Sequence, residues 1–296
     1  MRIIDAKLIE HTVRDLSIKA NTILRKDVLA ALKKAYRAEA KKRPKEILKE
    51  LLENAKIANE RQLAICQDTG MPIVFVELGQ DVYIKGDLNR AVNKGIVLGY
   101  KKGYLRASIV SDPVNRDKPG YSPAVIHVDI VKGGRLKITV FPKGFGCENK
   151  SQVKMFQPTA ELRDIKNFIL ETVKSAGPDA CPPYVVGVWI GGTADYACLL
   201  AKKALLKKVT SHTRTGTGQS PVTRKKLSTI NYRLSTDKLE RDLLSAINNL
   251  NIGPMGLGGK STALAVNAQI YPTHIAGLPV CVNISCHALR SATKTL

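Results

Sequence analysis

The chain is poor in aromatic residues: phenylalanine, tyrosine and tryptophan together make up 5% of its 296 positions. That is too few for an obvious platform on which nucleic-acid bases could stack. Nowhere does it approach the roughly 20 consecutive apolar residues that carry a helix across a bilayer. The N-terminal MRIIDAKLIEHTVRDL mixes charges into its apolar residues and offers neither an h-region nor a small-residue cleavage site. No signal peptide is therefore expected, and the protein is expected in the cytoplasm, with no membrane as partner. Six cysteines are present, but no two form a CxxC pair, which argues against a zinc ribbon or a ferredoxin-type loop. Disulfides are rare in a cytosolic chain of this size. Any metal site must then be assembled from distant parts of the chain.

Acidic residues are also scarce: 25 Asp and Glu face 47 Lys and Arg, for a formal net charge of +22. Such a balance admits nucleic-acid binding through counterion release, a lysine-rich solvated surface, or attraction of anionic substrates or an acidic partner chain. The basic residues are scattered along helix-like stretches, as in Lys33, Lys34, Lys41, Lys42 and Lys45 and again in Lys202, Lys203, Lys207 and Lys208. Nucleic acid is accordingly not the expected partner.

What is present suffices for a sizeable core: 44% hydrophobic residues and an ordinary 24% charged residues. From about Asp5 to Glu60 apolar positions recur at helical spacing, with Pro44 opening a new helix. MPIVFVEL and VYIKG read as strands, and residues 87–102 as a helix. SPAVIHVDIV and RLKITVFPKG read as two strands joined in a hairpin through Lys132-Gly133-Gly134. ELRDIKNFILETVKSAG, TADYACLLAKKALLKK and DKLERDLLSAINNL are helices; VVGVWIGG and LPVCVNIS are strands. The basic stretch 210–228 reads as a long exposed loop. Interleaved helices and strands predict one α/β domain over residues 1–296, a mixed sheet with flanking helices.

Three cysteines occupy one kind of place. Cys66 (ICQDTGMP) and Cys181 (GPDACPPY) each lie between a helix and a strand, and Cys286 follows the strand VCVNIS. Loops at strand ends are where a rigid scaffold presents functional groups, and a Cys-Pro pair like Cys181-Pro182 recurs at iron–sulfur ligands. Taken singly, each cysteine reads first as a small buried hydrophobe and only second as a ligand. Together, three thiolates would leave one iron of a cubane open, able to bind a substrate hydroxyl as a Lewis acid. Cys198 and Cys281 fall mid-helix and mid-strand and read as core; Cys147 stays open between the two readings.

Other candidates each carry an alternative. GPMGLGGKST is not a P-loop: counting back from Gly259-Lys260-Ser261, the required glycine falls on Pro254. Its glycines, like those of KGFGCENKS, either hold an anion on backbone amides or make tight turns. Gln67 and Asp68 adjoin Cys66, and either reach a group bound there or cap a turn. Arg106 is either a surface arginine or a fork for a carboxylate. His274 is a core histidine or a proton donor.

The ordered motifs ICQDTGMP, LRASIVSDP, KGFGCENKS, GPDACPPYVVGVWIGGT, INNLNIGPMGLGGKST and HIAGLPVCVNISCHALR resemble class I fumarases and the related L-tartrate dehydratases, over nearly the whole chain. The resemblance implies an oxygen-sensitive hydro-lyase with a [4Fe-4S] cluster. By motif position it implies Cys66, Cys181 and Cys286 as cluster ligands. Cys281 has the weaker claim, because the family's ligand follows the Val-Asn pair, here Val282-Asn283. It also implies Gln67, Asp68, Arg106 and Gly146 as substrate contacts, and Asp68 and His274 as candidate catalytic groups. One departure is that Phe145 and Cys147 replace a glycine and a serine of the family's loop. One-chain members continue into a second domain, whereas this chain stops soon after Arg290. The resemblance therefore implies an α subunit, with a β subunit supplying further arginines, a lysine and the proton-moving threonine, in an α2β2 assembly. Reversible hydration of fumarate to L-malate is the leading expectation; the alternatives are L-tartrate dehydration and a non-catalytic iron–sulfur, RNA-binding regulator. A structural zinc protein lacks the ligand spacing it would need.

Overall fold

A computed structural model describes residues 1–209 and 235–296. The basic segment read as an exposed loop, 210–228, lies outside the described residues. Strand β1 (Arg2–Asp5) leads into α1 (Ala6–Thr22), whose N-terminus is capped by Asp5 accepting the Lys7 N–H at 2.7 Å. Helices α2 (Lys26–Ala38) and α3 (Lys42–Arg61) complete the expected helical stretch. Pro44 falls in the first turn of α3, where its missing N–H breaks no helical bond.

The chain continues through β2 (Met71–Gly79), β3 (Val82–Lys85), α4 (Leu88–Lys102), β4 (Val125–Val131) and β5 (Leu136–Lys143). There follow the one-turn helix α5 (Phe145–Glu148), β6 (Gln152–Phe156), α6 (Leu162–Ala176), β7 (Tyr184–Ile190) and α7 (Ala194–Ala204). After the undescribed segment come α8 (Thr236–Asn249), β8 (Ala263–Ile270), β9 (Leu278–Ser285) and β10 (Ala292–Thr295). No described helix is long and apolar enough to cross a membrane.

The expected α/β class with flanking helices is what forms, but the single mixed sheet of the sequence reading is corrected to several. The strands are shared between two four-stranded sheets, ordered β10-β5-β2-β4 and β6-β9-β7-β8, with β1 and β3 as a separate pair. The expected hairpin is corrected. β4 and β5 do not pair; β2 lies between them, parallel to β4 and antiparallel to β5. The physical reason is burial. β2 hides Val74 and Val76 on one face and Ile73 and Phe75 on the other, so it takes the centre, while β4 leaves Ile130 71% exposed at the edge. Lys132-Gly133-Gly134 bridges the end of β2, with the Gly79 N–H donating to the Arg135 carbonyl and the Gln80 N–H to that of Val131. Only glycine fits at position 79, because a Cβ there would sit 2.0 Å from the Gly133 carbonyl oxygen.

Strand β8 is an addition to the sequence reading. Its ALAVNAQI is rich in alanine, a weak strand former, and sits directly behind the glycine-rich loop, yet it is buried and runs parallel to β7.

The two sheets share a core. Ile73, Phe75 and Phe141 of the first sheet meet Val185, Leu264 and Ala265 of the second, with Val28 and Leu32 of α2 and Leu48 of α3 in the same cluster. The outer face of the first sheet packs on α1 and α4. That of the second packs on α6 and α8. Antiparallel pairing then sets the site: Met71 opposes Lys143, and Val185 opposes Ser285. The start of β2 thus lies beside the end of β5, and the start of β7 beside the end of β9.

Candidate active site

Four connections meet where these strand ends meet: the Cys66 loop before β2, the KGFGC turn after β5, the Cys181 loop before β7 and the Cys286 loop after β9. The buried Lys143 joins the two sheets here by donating from Nζ to the Ile284 carbonyl at 2.8 Å. Cys181 holds a left-handed backbone conformation, φ 56°. A non-glycine residue keeps that conformation only when its surroundings over-determine it, and such residues cluster at functional sites. The surroundings are visible: the Cys181 carbonyl accepts from the His287 N–H at 3.4 Å, and His287 Nδ1 lies 3.1 Å from the same oxygen.

Cys66, Cys181 and Cys286 are half-buried free thiols. Burial pushes the Cys66 thiol up, Cys286 and Asp68 add to the rise, and the Arg290 charge opposes it. Burial also pushes Cys181 up, and Cys286 and Cys66 push it further. Cys286 is pulled well down, first by the neighbouring Cys147 thiol and then, against the effect of burial, by the charges of His287 and Arg290. The three thiols therefore act on one another electrostatically. As thiolates they repel, and a bound cationic group relieves that repulsion.

Among the described residues no three His, Cys, Asp or Glu side chains converge as ligands of a single metal ion. A cubane takes each thiolate on a different iron, so its ligands stand further apart than those of one ion. A donor set of soft thiols suits iron–sulfur chemistry. The residues present therefore fit a cluster better than a lone hard cation.

Asp68 ties the loops together. Its Oδ1 accepts the Gly70 N–H at 2.9 Å, its Oδ2 accepts the Phe145 N–H at 2.8 Å, and its main-chain carbonyl accepts from Arg290 Nη2 at 2.7 Å. The turn reading thus holds for this residue. Gln67 is exposed, and its Oε1 accepts from the Cys66 thiol at 3.3 Å. Arg106 comes from a distant loop but is fastened here by its backbone: its N–H donates to Thr69 Oγ1 at 3.1 Å, and that hydroxyl donates to the Arg106 carbonyl at 3.3 Å. The buried Tyr100 hydroxyl sits 3.1 and 3.0 Å from the Thr69 and Gly70 carbonyls and fixes the same turn. The Arg106 side chain is exposed. Gly146 is exposed in α5, and a Cβ there would meet nothing closer than the Asp179 carbonyl at 3.9 Å.

His274 is not brought to this place. It is exposed in the loop between β8 and β9, whereas Cys286 follows the other end of β9. Eight residues of strand separate the two ends, a span of about 24 Å. Within one chain His274 cannot meet the three cysteines.

Several residues at the site went unmarked in the sequence reading. Arg290 is 3% exposed and contacts Asp68; its only sequence signal is a charge four residues beyond Cys286 in an apolar stretch. Lys143 is 1% exposed, pairs with Glu148 at 3.1 Å, and Glu148 is paired in turn with Lys202 at 2.5 Å. Cys147, left open between ligand and core by the sequence, is buried, donates to the Ala180 carbonyl at 3.3 Å and adjoins Cys286. The second glycine-rich loop serves no ligand with the amides that are accounted for. The Lys260 N–H donates to Glu39 Oε2 at 2.6 Å and the Gly259 N–H to Asn251 Oδ1 at 3.0 Å. The tight-turn reading describes it.

A family model described as fumarate hydratase (Fumerase) matches residues 10–295. A Methanocaldococcus jannaschii protein provisionally named L(+)-tartrate dehydratase subunit alpha is 38% identical over 296 aligned residues, covering 97% of each chain. An Escherichia coli protein named L(+)-tartrate dehydratase subunit alpha is 27% identical over 285 residues, covering 95% of this chain and 88% of its own.

Proposed function

This chain belongs to the fumarate hydratase (Fumerase) family, and on that premise we propose that it is the α subunit of a hydro-lyase acting on a four-carbon dicarboxylate. The observation that carries the reading is the meeting of the Cys66, Cys181 and Cys286 loops at one pair of sheet ends, tied by Asp68. A [4Fe-4S] cluster held by these three thiolates supplies, when bound, a Lewis acid for a substrate hydroxyl. Arg106 binds one substrate carboxylate through its guanidinium fork. Gln67 and the Gly146 backbone orient the substrate beside the cysteines. Asp68 first holds the loops in register, since both its oxygens already accept backbone N–H groups. Its remaining lone pairs are available to a substrate hydroxyl or a proton.

A base that takes the proton next to a carboxylate needs close placement. His274 lies too far along its own chain, so it can serve only the site of a second copy. The relatives named as alpha subunits support a β subunit as the natural source of the remaining groups; an α2β2 assembly is the form we expect the pair to take. Hydration of fumarate to L-malate is the reading we favour, as the commoner role; the motifs do not separate it from L-tartrate dehydration. L-tartrate dehydration is the second reading, favoured by the names of both relatives.

The test is anaerobic reconstitution of this chain, alone and with a β-type partner. Turnover is expected only in the pair, with iron bound to this chain. Comparing kcat/KM for L-malate and L-tartrate decides between the substrates. Turnover of neither, or robust turnover by this chain alone, would overturn the assignment.

A further inference from the structure

Arg290 is a buried cation whose hydrogen-bond partners are all neutral. Nη2 donates to the Asp68 main-chain carbonyl at 2.7 Å and Nη1 to the Asn21 side-chain oxygen at 3.2 Å. Its Nε is buried and has no hydrogen-bond partner. Asp68 offers this guanidinium its carbonyl while turning its carboxylate oxygens to the amides of Gly70 and Phe145. Among the described residues no carboxylate forms an ion pair with Arg290. Burying a charge without a countercharge is costly, so a chain that retains one has an anion for it elsewhere. The bond of Arg290 to the Asp68 carbonyl places the guanidinium against the loop two residues beyond Cys66, from a position four residues beyond Cys286.

We propose that Arg290 is the positioning and charge-balancing residue of the cysteine site: it clamps the Cys66 loop to the segment after Cys286 and supplies the countercharge for the thiolate-ligated cluster. The inference rests on the cluster reading given above. Three thiolates outweigh the positive charge of an oxidised cubane core, so the ligated group is anionic, and it becomes more so on reduction. A fixed guanidinium bonded to the Cys66 loop holds the group in place and favours its reduced state. Outer partners of metal ligands commonly matter at this level.

The test uses the full chain, loaded anaerobically with iron and sulfide. The readouts are iron release to a chelator, the reduction midpoint followed spectroscopically, and the unfolding midpoint. Arg290→Gln is expected to release iron roughly tenfold faster, in the range typical of lost outer partners. It should also lower the reduction midpoint; a tenfold weaker hold on the reduced state corresponds to about 59 mV for a one-electron change. Arg290→Lys keeps the charge and should hold its midpoint near wild type even where the lost clamp lowers stability. Asn21→Asp places a carboxylate against Nη1, cancels the charge in place, and should lower the midpoint with the guanidinium still present; it carries the test if Arg290→Gln does not fold. Midpoints unchanged in both charge-removing variants, or shifted equally in Arg290→Lys, would reduce Arg290 to a structural clamp and overturn the proposal. Failure of the wild-type chain to take up any cluster would overturn the reading beneath it as well.

Discussion

Two groups of cysteines in this chain share a chemistry and differ in everything around it. Cys66, Cys181 and Cys286 lie in loops where the two sheets bring their ends together, beside a buried arginine and a lysine–glutamate pair. Cys198 and Cys281 lie within α7 and β9, packed with Trp189, Ala197, Leu200 and Ala201. At the first place charge and hydrogen bonds hold the backbone, leaving thiols at the surface of a fixed scaffold. At the second, apolar packing surrounds the sulfur. The contrast teaches that a thiol's position relative to the ends of regular structure decides what it can bind, whatever its own chemistry.

The sharpest way to break this comparison is to remove the sulfurs one at a time. Cys66→Ser, Cys181→Ser and Cys286→Ser are each expected to abolish cluster retention and turnover. An iron count and the visible absorption of anaerobically purified protein measure this. Retention of a full cluster by any one of them would remove that residue from the ligand set.

The next effect tests whether charge holds the loop end. Burial works to raise the Glu148 carboxyl, but the charge of Lys143 and the bond from Lys202 outweigh it and hold the group below its ordinary range. A carboxylate with a lowered folded pKa adds stability that is fully present above its unfolded value, near 4.3, and is lost as pH falls through the lowered one. Glu148→Gln leaves Lys143 buried without its partner. The expected cost is about 2–3 kcal/mol, below the full range for buried pairs because Glu148 is partly exposed. In denaturant titrations the wild type should lose more stability than the variant below about pH 4. Equal acid sensitivity would show that the pair contributes little.

How much of this was legible beforehand follows from the range of the interactions. The loop positions of the three cysteines could be read locally, because each is flanked by a strong strand or helix pattern. The α/β class followed from the same patterns. The β4–β5 hairpin was misread because the glycine turn is a local signal, whereas the claim of β2 to the central position comes from burial on both faces. β8 was missed because alanine gives little strand signal before tertiary burial supplies the reason. Arg290 and Lys143 look like ordinary basic residues in a chain with 47 of them; only the fold shows that they are buried. The separation of His274 from Cys286 depends on strand direction, which no motif records.

A smaller effect is expected at Arg106, which belongs to the loop end through its backbone while its guanidinium is exposed. Arg106→Lys keeps charge but loses the two-pronged geometry. The expected loss in kcat/KM is roughly tenfold, about 1.5 kcal/mol, at the lower end for a charge-assisted hydrogen bond. Iron content and the unfolding midpoint should not change. An unaltered kcat/KM would return Arg106 to the surface.

The smallest expected effect is at Cys281, and it sets the other limit of the comparison. Cys281 is 3% exposed and opposes Trp189 on β7 and Val153 on β6, so its place in the sheet is fixed from both sides. Four residues of strand separate it from Ser285, about 14 Å along β9, too far for its sulfur to replace Cys286 without the strand leaving its register. A one-residue slip would not help, because it exchanges the side chains of the two buried faces of β9. Burial pushes the Cys281 thiol up, and the neighbouring Cys198 adds to the rise. Cys281→Ala should therefore leave iron content and absorption unchanged. Its cost is confined to the lost packing of one sulfur, about 1 kcal/mol of stability, read as a lower denaturation midpoint with an unchanged slope. Loss of the cluster in Cys281→Ala, with the fold intact, would make Cys281 a ligand and would mean that β9 shifts when iron binds.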